Sequence, residues 1–497
     1  MSGRKAKRIV IVGAGPGGLT AAMILGRRGY DVEVFEKQPQ VGGRNARVSL
    51  GDFHFDLGPT FLMLKPVLDQ VFQEAGADGE QILTYKRLEP MYRLQFADRR
   101  VEPTTDSDGM KREIGRVFPG KEATFDAFME REGVRFAKLF PCLQRPYHQF
   151  RSLFSAPLLK SIPHLALGKS LYDLLSGYFG DPELSLSFTF QAKYLGMSPW
   201  ECPGLFAIIA YIEHHFGIYH VQGGLSRISV KMAETAAAHG VKLHLGQPVR
   251  KLLLDGRQAV GVELQDGRKV AADEVVINAD FAHAMSHLVP DGALRKYSPE
   301  QLRRKRFSCS TFMLYLGLDK VYDLPHHTIF FARDYRQNVA DVFGGRMLSD
   351  DFSFYVHNPS VTDPTLAPPG QSAVYVLVPA PNLRADVDWT LETERFQETV
   401  LEAMEKRAGM ADLRQHIKEK KVVSPLHWED DYSVYAGATF NLAHNFGQML
   451  YLRPRNKFEE LGHCYLVGGG THPGSGLPTI YQSGLIAANL ISQSDQD

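Results

Sequence analysis

The sequence predicts an α/β protein of two domains interleaved along the chain: one on a parallel sheet, the other α+β. Three observations predict it. Residues 8–35 read strand, glycine loop, helix, strand. Residues 464–490 repeat the grammar of strand, glycine loop and helix. Between them, residues 100–220 are dense in aromatic and apolar side chains and interrupted by prolines. At 497 residues, two to four folding units are in range at roughly 150 residues each.

Taken in order, Arg8-Ile9-Val10-Ile11-Val12 is an apolar run ended by glycine, the mark of a buried strand. Pro16 to Arg28 has helical spacing of Leu19, Met23 and Leu25, and Gly29 stops it. Asp31–Phe35 reads as a second strand, which makes a right-handed βαβ unit. Residues 101–219 read as mostly helical. Leu225–His239 reads as a helix; Val241–Leu245, Val249–Leu254, Val260–Leu264 and Asp273–Ile277 read as strands, with a hairpin turn at Asp266-Gly267. Residues 305–430 mix strands, such as Thr311–Leu316 and Ala373–Pro379, with a helix near Thr393–Arg407.

Composition excludes several classes. Lys+Arg and Asp+Glu both number 56, so no basic excess exists for a broad nucleic-acid footprint. Cys142, Cys202, Cys309 and Cys464 are scattered without CxxC spacing, which argues against a zinc ribbon or disulfide framework and fits a cytoplasmic setting. The basic start Arg4-Lys5-Ala6-Lys7-Arg8 runs straight into a strand, so no leader is expected. The longest apolar run, Leu205–Ile212, is far short of the ~18 residues that span a bilayer.

Gly13-Ala14-Gly15-Pro16-Gly17-Gly18 is GxGxxG in its required setting, after a strand and opening a helix. Gly13 permits the tight turn, Gly15 lets backbone approach a pyrophosphate, and Gly18 allows helix to pack on sheet. The helix N-terminus offers free N–H groups and partial positive charge. Glu36, at the end of the second strand, can accept from ribose hydroxyls. Gly42-Gly43-Arg44 and Asp56-Leu57-Gly58-Pro59 supply a second glycine turn and a cation for the pyrophosphate.

Residues 11–44 resemble the FAD-binding start of the amine oxidase-type flavoproteins, which implies a Rossmann-like FAD-binding domain. No second strand-framed GxGxxG is present, which argues against a nicotinamide site. The tail Tyr465-Leu466-Val467-Gly468-Gly469-Gly470-Thr471-His472-Pro473-Gly474-Ser475-Gly476-Leu477-Pro478 resembles the C-terminal signature of bacterial and fungal-type carotenoid desaturases, the phytoene desaturase family. Phe216-Gly217-Ile218-Tyr219 running into Gly223-Gly224, Asn278-Ala279-Asp280 and Arg453-Pro454-Arg455-Asn456 look alike too. Related flavin oxidases carry an acidic residue where Gly469 stands; the desaturases do not. The resemblance implies flavin contacts along Gly13–Gly18, Glu36, Lys37, Gly43, Arg44, Gly58, Pro59, Val249, Asn278, Gly468–Gly470 (Gly468, Gly469, Gly470), Leu477 and Pro478. It also implies FAD-dependent desaturation of a linear, phytoene-type precursor, with hydride passing to the flavin.

Candidate proton acceptors are Glu213, His214 and His215, which close the apolar run, and His472 inside the tail motif. Equally, Glu213 can pair with an arginine, a histidine pair on a loop can be solvated, and His472 can cap a turn. No Ser-His-Asp, HExxH or similar constellation appears, which disfavours hydrolase and metal chemistry. A forty-carbon isoprenoid costs roughly 30 kcal/mol to strand in water, at ~0.8 kcal/mol per carbon. The enzyme is therefore expected to dock on a membrane, with Phe150–Leu175 and its Arg151, Lys160 and Lys169 as the interfacial segment. Reduced flavin is expected to pass electrons to quinone or oxygen.

The predicted FAD domain comprises 1–100, 220–300 and 430–497; the substrate-binding, membrane-facing domain comprises 101–219 and 301–429. Readings within the same fold are a C30 diapophytoene-type or hydroxycarotenoid desaturase, or a ketolase or isomerase. From other classes come a prenyl-lipid carrier and a soluble amine oxidase.

Overall fold

Ile9, Val10 and Ile11 are wholly excluded from water in the strand Arg8–Val12. Ile9 and Ile11 pack into one hydrophobic cluster and Val10 and Val12 into another, as the two-residue period of a strand buried on both faces requires. The structure, a computed structural model, describes residues 6–345 and 348–495; Arg4 and Lys5 of the basic start lie outside the described residues.

Arg8–Val12 is the centre of a five-stranded sheet, in the order Lys242–His244, Asp31–Phe35, Arg8–Val12, Glu274–Ile277, Cys464–Leu466. Every pairing is parallel. Each strand is short, the four other than the edge strand Lys242–His244 are largely buried, and three segments far apart in sequence supply them. The helices Pro16–Arg27, Ser226–Ala238 and Leu477–Gln493 pack together on one face. The first and last cross so closely that a Cβ on Gly484 would stand 2.6 Å from the Gly17 carbonyl oxygen. On the other face, Val249–Asp255, Gln258–Leu264 and Lys269–Ala271 form an antiparallel ribbon, with the Asp266-Gly267 turn between the last two.

The second sheet has seven strands in the order Ile417–Val423, Ser310–Leu318, Ser372–Ala380, Phe354–His357, His327–Phe330, Arg93–Gln95, Arg100–Val101. Its pairings are antiparallel except His327–Phe330 with Arg93–Gln95. The helix Trp389–Arg407 covers one face through Phe396, Val400 and Met404. Leu62–Met63, Ile218–Val221 and Tyr85–Arg87 form a small antiparallel sheet in that order.

Residues 101–219 are mainly helical, with Ala123–Leu143 the longest element. Phe150–Leu175 is broken into short pieces: a 3₁₀ turn Phe150–Phe154, a helix Ala156–Ser161, a second 3₁₀ turn Ile162–His164, and the start of Leu171–Phe179. Pro157, Pro163 and Gly168 account for the breaks. Among the described residues, no helix is long and apolar enough to cross a membrane.

Candidate functional site

The glycine loop leaves the first strand with Gly13 at φ +98°, a conformation that favours glycine. The Gly13 amide donates to the Phe35 carbonyl (2.8 Å), and its own carbonyl accepts from Asn278 Nδ2 (3.0 Å). A Cβ on Gly18 would lie 2.3 Å from the Gly13 oxygen, and one on Gly17 would lie 3.1 Å from the Gly468 nitrogen. The first turn, Asn278 and the tail loop thus meet at backbone distance, with no room for side chains between them.

Glu36 is buried beside this turn; its Oε2 accepts from Ala14 N (2.7 Å) and its Oε1 from Gln38 N (2.9 Å). The carboxylate therefore shapes the loop and retains lone pairs for ribose hydroxyls. Lys37 reaches across to the Asp431 carbonyl and Ser433 hydroxyl. Arg44 Nη1 donates to the Thr439 carbonyl (3.0 Å) and to Asp280 Oδ2 (3.4 Å). Burial raises the Asp280 pKa, and the Arg44 guanidinium opposes that shift.

In the tail, Gly468 has φ +102° and its amide donates to Ser483 Oγ (2.9 Å). Arg453, wholly buried, donates to the carbonyls of Thr471 (3.0 Å), Gln448 (3.1 Å), Leu442 (3.3 Å) and Gly469 (2.7 Å). Asn456 Nδ2 donates to the carbonyls of Leu466 and His472. These two side chains explain the Arg-Pro-Arg-Asn motif: they hold the glycine loop in shape from behind. The loop ends at Gly476, and helix Leu477–Gln493 presents its N-terminus to the same space.

That space is one cavity of about 1000 Å³. Gly13, Gly15, Pro16, Glu36, Lys37, Gly43, Arg44, Gly58, Pro59, Val249, Asn278, Gly468, Gly469, Leu477 and Pro478 line it. Ala14, Gly17, Gly18 and Gly470 stand outside that lining, and a Cβ on Gly17, Gly18 or Gly470 would come within 2.9 Å of a neighbouring atom. The same cavity continues along Leu139, Phe140, Leu158, Leu165, Ile208, Ile212 and Met449. Backbone cradle, helix N-terminus, acidic residue and a continuous apolar extension have the chemistry to hold a flavin dinucleotide.

The structure does not bring the sequence's candidate proton acceptors to the cavity surface. Glu213 is on helix Ile208–Phe216, fully buried, and accepts from Gln191 Nε2 (2.7 Å) and Tyr92 OH (3.0 Å). His214 packs on Phe125 and Phe188 and bonds the Thr104 carbonyl through Nδ1; burial pushes its pKa down to about 4. His215 is exposed and stacks on Tyr211. His472 bonds the Arg145 carbonyl (2.9 Å), and burial pushes its pKa down to about 3. All three imidazoles are held by neighbours away from the lining.

A titratable group that the sequence reading passed over does line the cavity. Lys193, on the 3₁₀ turn Phe190–Leu195, contributes to the lining, while its ammonium lies 5.0 Å from the Tyr335 ring centre and 5.8 Å from that of Phe331, two rings outside the lining. Burial pulls its pKa down to about 7, because the charged form loses its water. A lone cation between Phe190 and Leu195 was the available signal.

The flavin containing amine oxidoreductase family matches residues 16–492. The chain is 52% identical to a 4,4'-diapophytoene desaturase (4,4'-diapolycopene-forming) of Methylomonas sp, over 98% of this chain and 95% of that protein. It is 37% identical to an all-trans-zeta-carotene desaturase of Myxococcus xanthus, over 99% and 94%. Among solved structures, putrescine oxidase bound to putrescine superposes with a TM-score of 0.65 at 16% identity, covering 99% of each chain, a likeness of fold.

Arg453→Met leaves four buried carbonyls without their donor, and we expect it to cost about 3 kcal/mol or more of stability. Thermal unfolding and flavin absorbance of the purified protein check this: a lowered melting temperature with less than stoichiometric FAD is expected, and unchanged melting with full flavin would contradict the clamp.

Proposed function

The chain belongs to the flavin containing amine oxidoreductase family, and we propose that within it the protein is an FAD-dependent desaturase of a linear carotenoid precursor. The observation that carries this reading is the single cavity in which a dinucleotide cradle and a long apolar wall are continuous. The 52% identity to a diapophytoene desaturase favours a C30 precursor over the forty-carbon one first expected. The proposed division of labour keeps the discontinuous domains read from the sequence, one holding FAD and one holding substrate.

When bound, FAD supplies a two-electron acceptor for hydride from carbon. The chain's own residues do the rest. Leu139, Phe140, Ile208 and Ile212 hold an extended hydrocarbon and exclude water, so that one segment of it stays aligned for reaction. Desaturation also releases a proton from the neighbouring carbon. We assign that proton to Lys193, a residue of the cavity lining whose amine is neutral for part of the time near pH 7. The N-terminus of helix Leu477–Gln493 would offer partial positive charge to a bound flavin. A quinone or oxygen would serve as the final electron acceptor.

Delivery is assigned to the segment 150–167. Its outer face exposes Phe150 and Phe154, each 63% accessible, with Leu159, Ile162 and Leu167, flanked by the exposed Arg151, Lys160 and Lys169. Its inner face contributes Leu158, Ser161 and Leu165 to the cavity. A peripheral seat on the cytoplasmic membrane surface would put the lipid and the substrate chamber on opposite sides of one thin element.

Vesicles loaded with C30 or C40 precursor provide one direct test. The holoenzyme is expected to co-sediment with them and to desaturate the C30 compound faster; the pair Phe150→Ser and Phe154→Ser should lose both sedimentation and turnover while keeping FAD. Equal turnover on dispersed substrate, or C40 preference, would contradict the respective assignment.

Lys193→Met is expected to lower kcat about 100-fold, the size of a lost general base. In the unsubstituted enzyme, loss of the ammonium proton creates the acceptor, so kcat should rise with pH through about 7 and then level. A pH profile unchanged by the substitution would exclude Lys193 from the proton step.

A further inference from the structure

Behind the cavity wall lies a cluster of buried histidines that the proposed flavin chemistry does not use. His220 is on strand Ile218–Val221 of the small sheet. His357 ends strand Phe354–His357 of the seven-stranded sheet, and His326 immediately precedes its neighbour His327–Phe330. One ring nitrogen from each of His220, His326 and His357 lies within 4.8 Å of the other two.

The arrangement has the parts of a metal centre. His326 Nε2 and His357 Nε2 are 3.2 Å apart, close to the separation of two nitrogens bound at about 2.0–2.1 Å to one tetrahedral zinc. Asp363 Oδ2 lies 2.9 Å from His220 Nε2 and also accepts from Gly223 N (2.6 Å). A carboxylate in that position keeps the proton on Nε2 and leaves the Nδ1 lone pair available, the outer-shell arrangement of metal-ligating histidines. His220 Nδ1 is buried without a hydrogen-bond partner among the described residues. A site of imidazoles alone suits zinc and its transition-metal neighbours and does not suit calcium or magnesium.

We propose that His220, His326 and His357 bind one Zn²⁺ ion, positioned by Asp363, which staples the small sheet to the seven-stranded sheet. The staple would bear on the substrate chamber. His357 stacks on His327 with ring centres 5.0 Å apart, and His327 Nδ1 bonds Tyr355 OH (2.7 Å), which in turn meets Thr60 Oγ1 (2.7 Å). His327, Tyr355 and Thr60 all line the cavity. The ion takes no part in electron transfer in this proposal; it fixes the wall.

The test uses FAD-loaded full-length protein purified without a histidine tag. Elemental analysis after dialysis is expected to find one zinc per chain. Co²⁺ exchanged into the site should give the strong visible bands of a tetrahedral cobalt centre. Asp363→Asn is expected to weaken zinc about 10–100-fold with FAD content unchanged, and His357→Gln to abolish it. Wild-type holoenzyme that takes up no zinc from micromolar Zn²⁺, or whose melting temperature zinc does not move, overturns the proposal whatever the variants do.

Discussion

Three segments separated by hundreds of residues meet where Asn278 lies between the Gly13–Gly18 turn and the tail loop at Gly468, and the rest of the molecule is arranged around that meeting. The contacts are made at backbone distance, so each segment must arrive on a strand of one rigid sheet. Arg8–Val12, Glu274–Ile277 and Cys464–Leu466 are adjacent parallel strands for that reason. Their carboxyl ends open on the same crevice, where a parallel sheet places a dinucleotide. Arg453 and Asn456 then supply the hydrogen bonds that a glycine loop cannot supply for itself.

The second constraint is hydrophobic. Thirty carbons at ~0.8 kcal/mol each make roughly 25 kcal/mol of aversion to water. A chamber that receives such a molecule must connect an apolar source to the flavin without a wet gap. In the delivery we propose, the broken segment 150–167 would serve this by being thin: Leu158 and Leu165 line the cavity, and Phe150, Phe154 and Leu167 are exposed. A long regular helix would bury one face against a core; prolines at 157 and 163 keep the pieces short enough to serve both sides.

Local patterns were legible and long-range placement was not. The opening βαβ unit, the hairpin at Asp266-Gly267 and the closing helix each announce themselves through glycine punctuation and apolar runs. Arg93–Gln95 could not be assigned in that way, because its partner His327–Phe330 lies far along the chain and the strand is only three residues long. At the site, most of the cradle was readable, since backbone approach to a ligand demands glycine. Glu213 and His214 misled because an acid and an imidazole after an apolar run suggest a pocket edge. In the fold that run continues as a helix, and its polar end turns into partners at Tyr92, Gln191 and Thr104. Lys193 and the histidine cluster carry no motif; only burial and juxtaposition single them out.

On the proposed reading, cofactor and hydrocarbon share one chamber, so that electrons pass directly from substrate carbon to flavin. Anaerobic single-turnover absorption spectroscopy tests it most directly: holoenzyme is mixed with precursor-loaded vesicles while flavin bleaching and polyene formation are followed together. The flavin is expected to bleach in step with the first new double bond, one flavin per bond. Double bonds that accumulate while the flavin stays oxidised would contradict it.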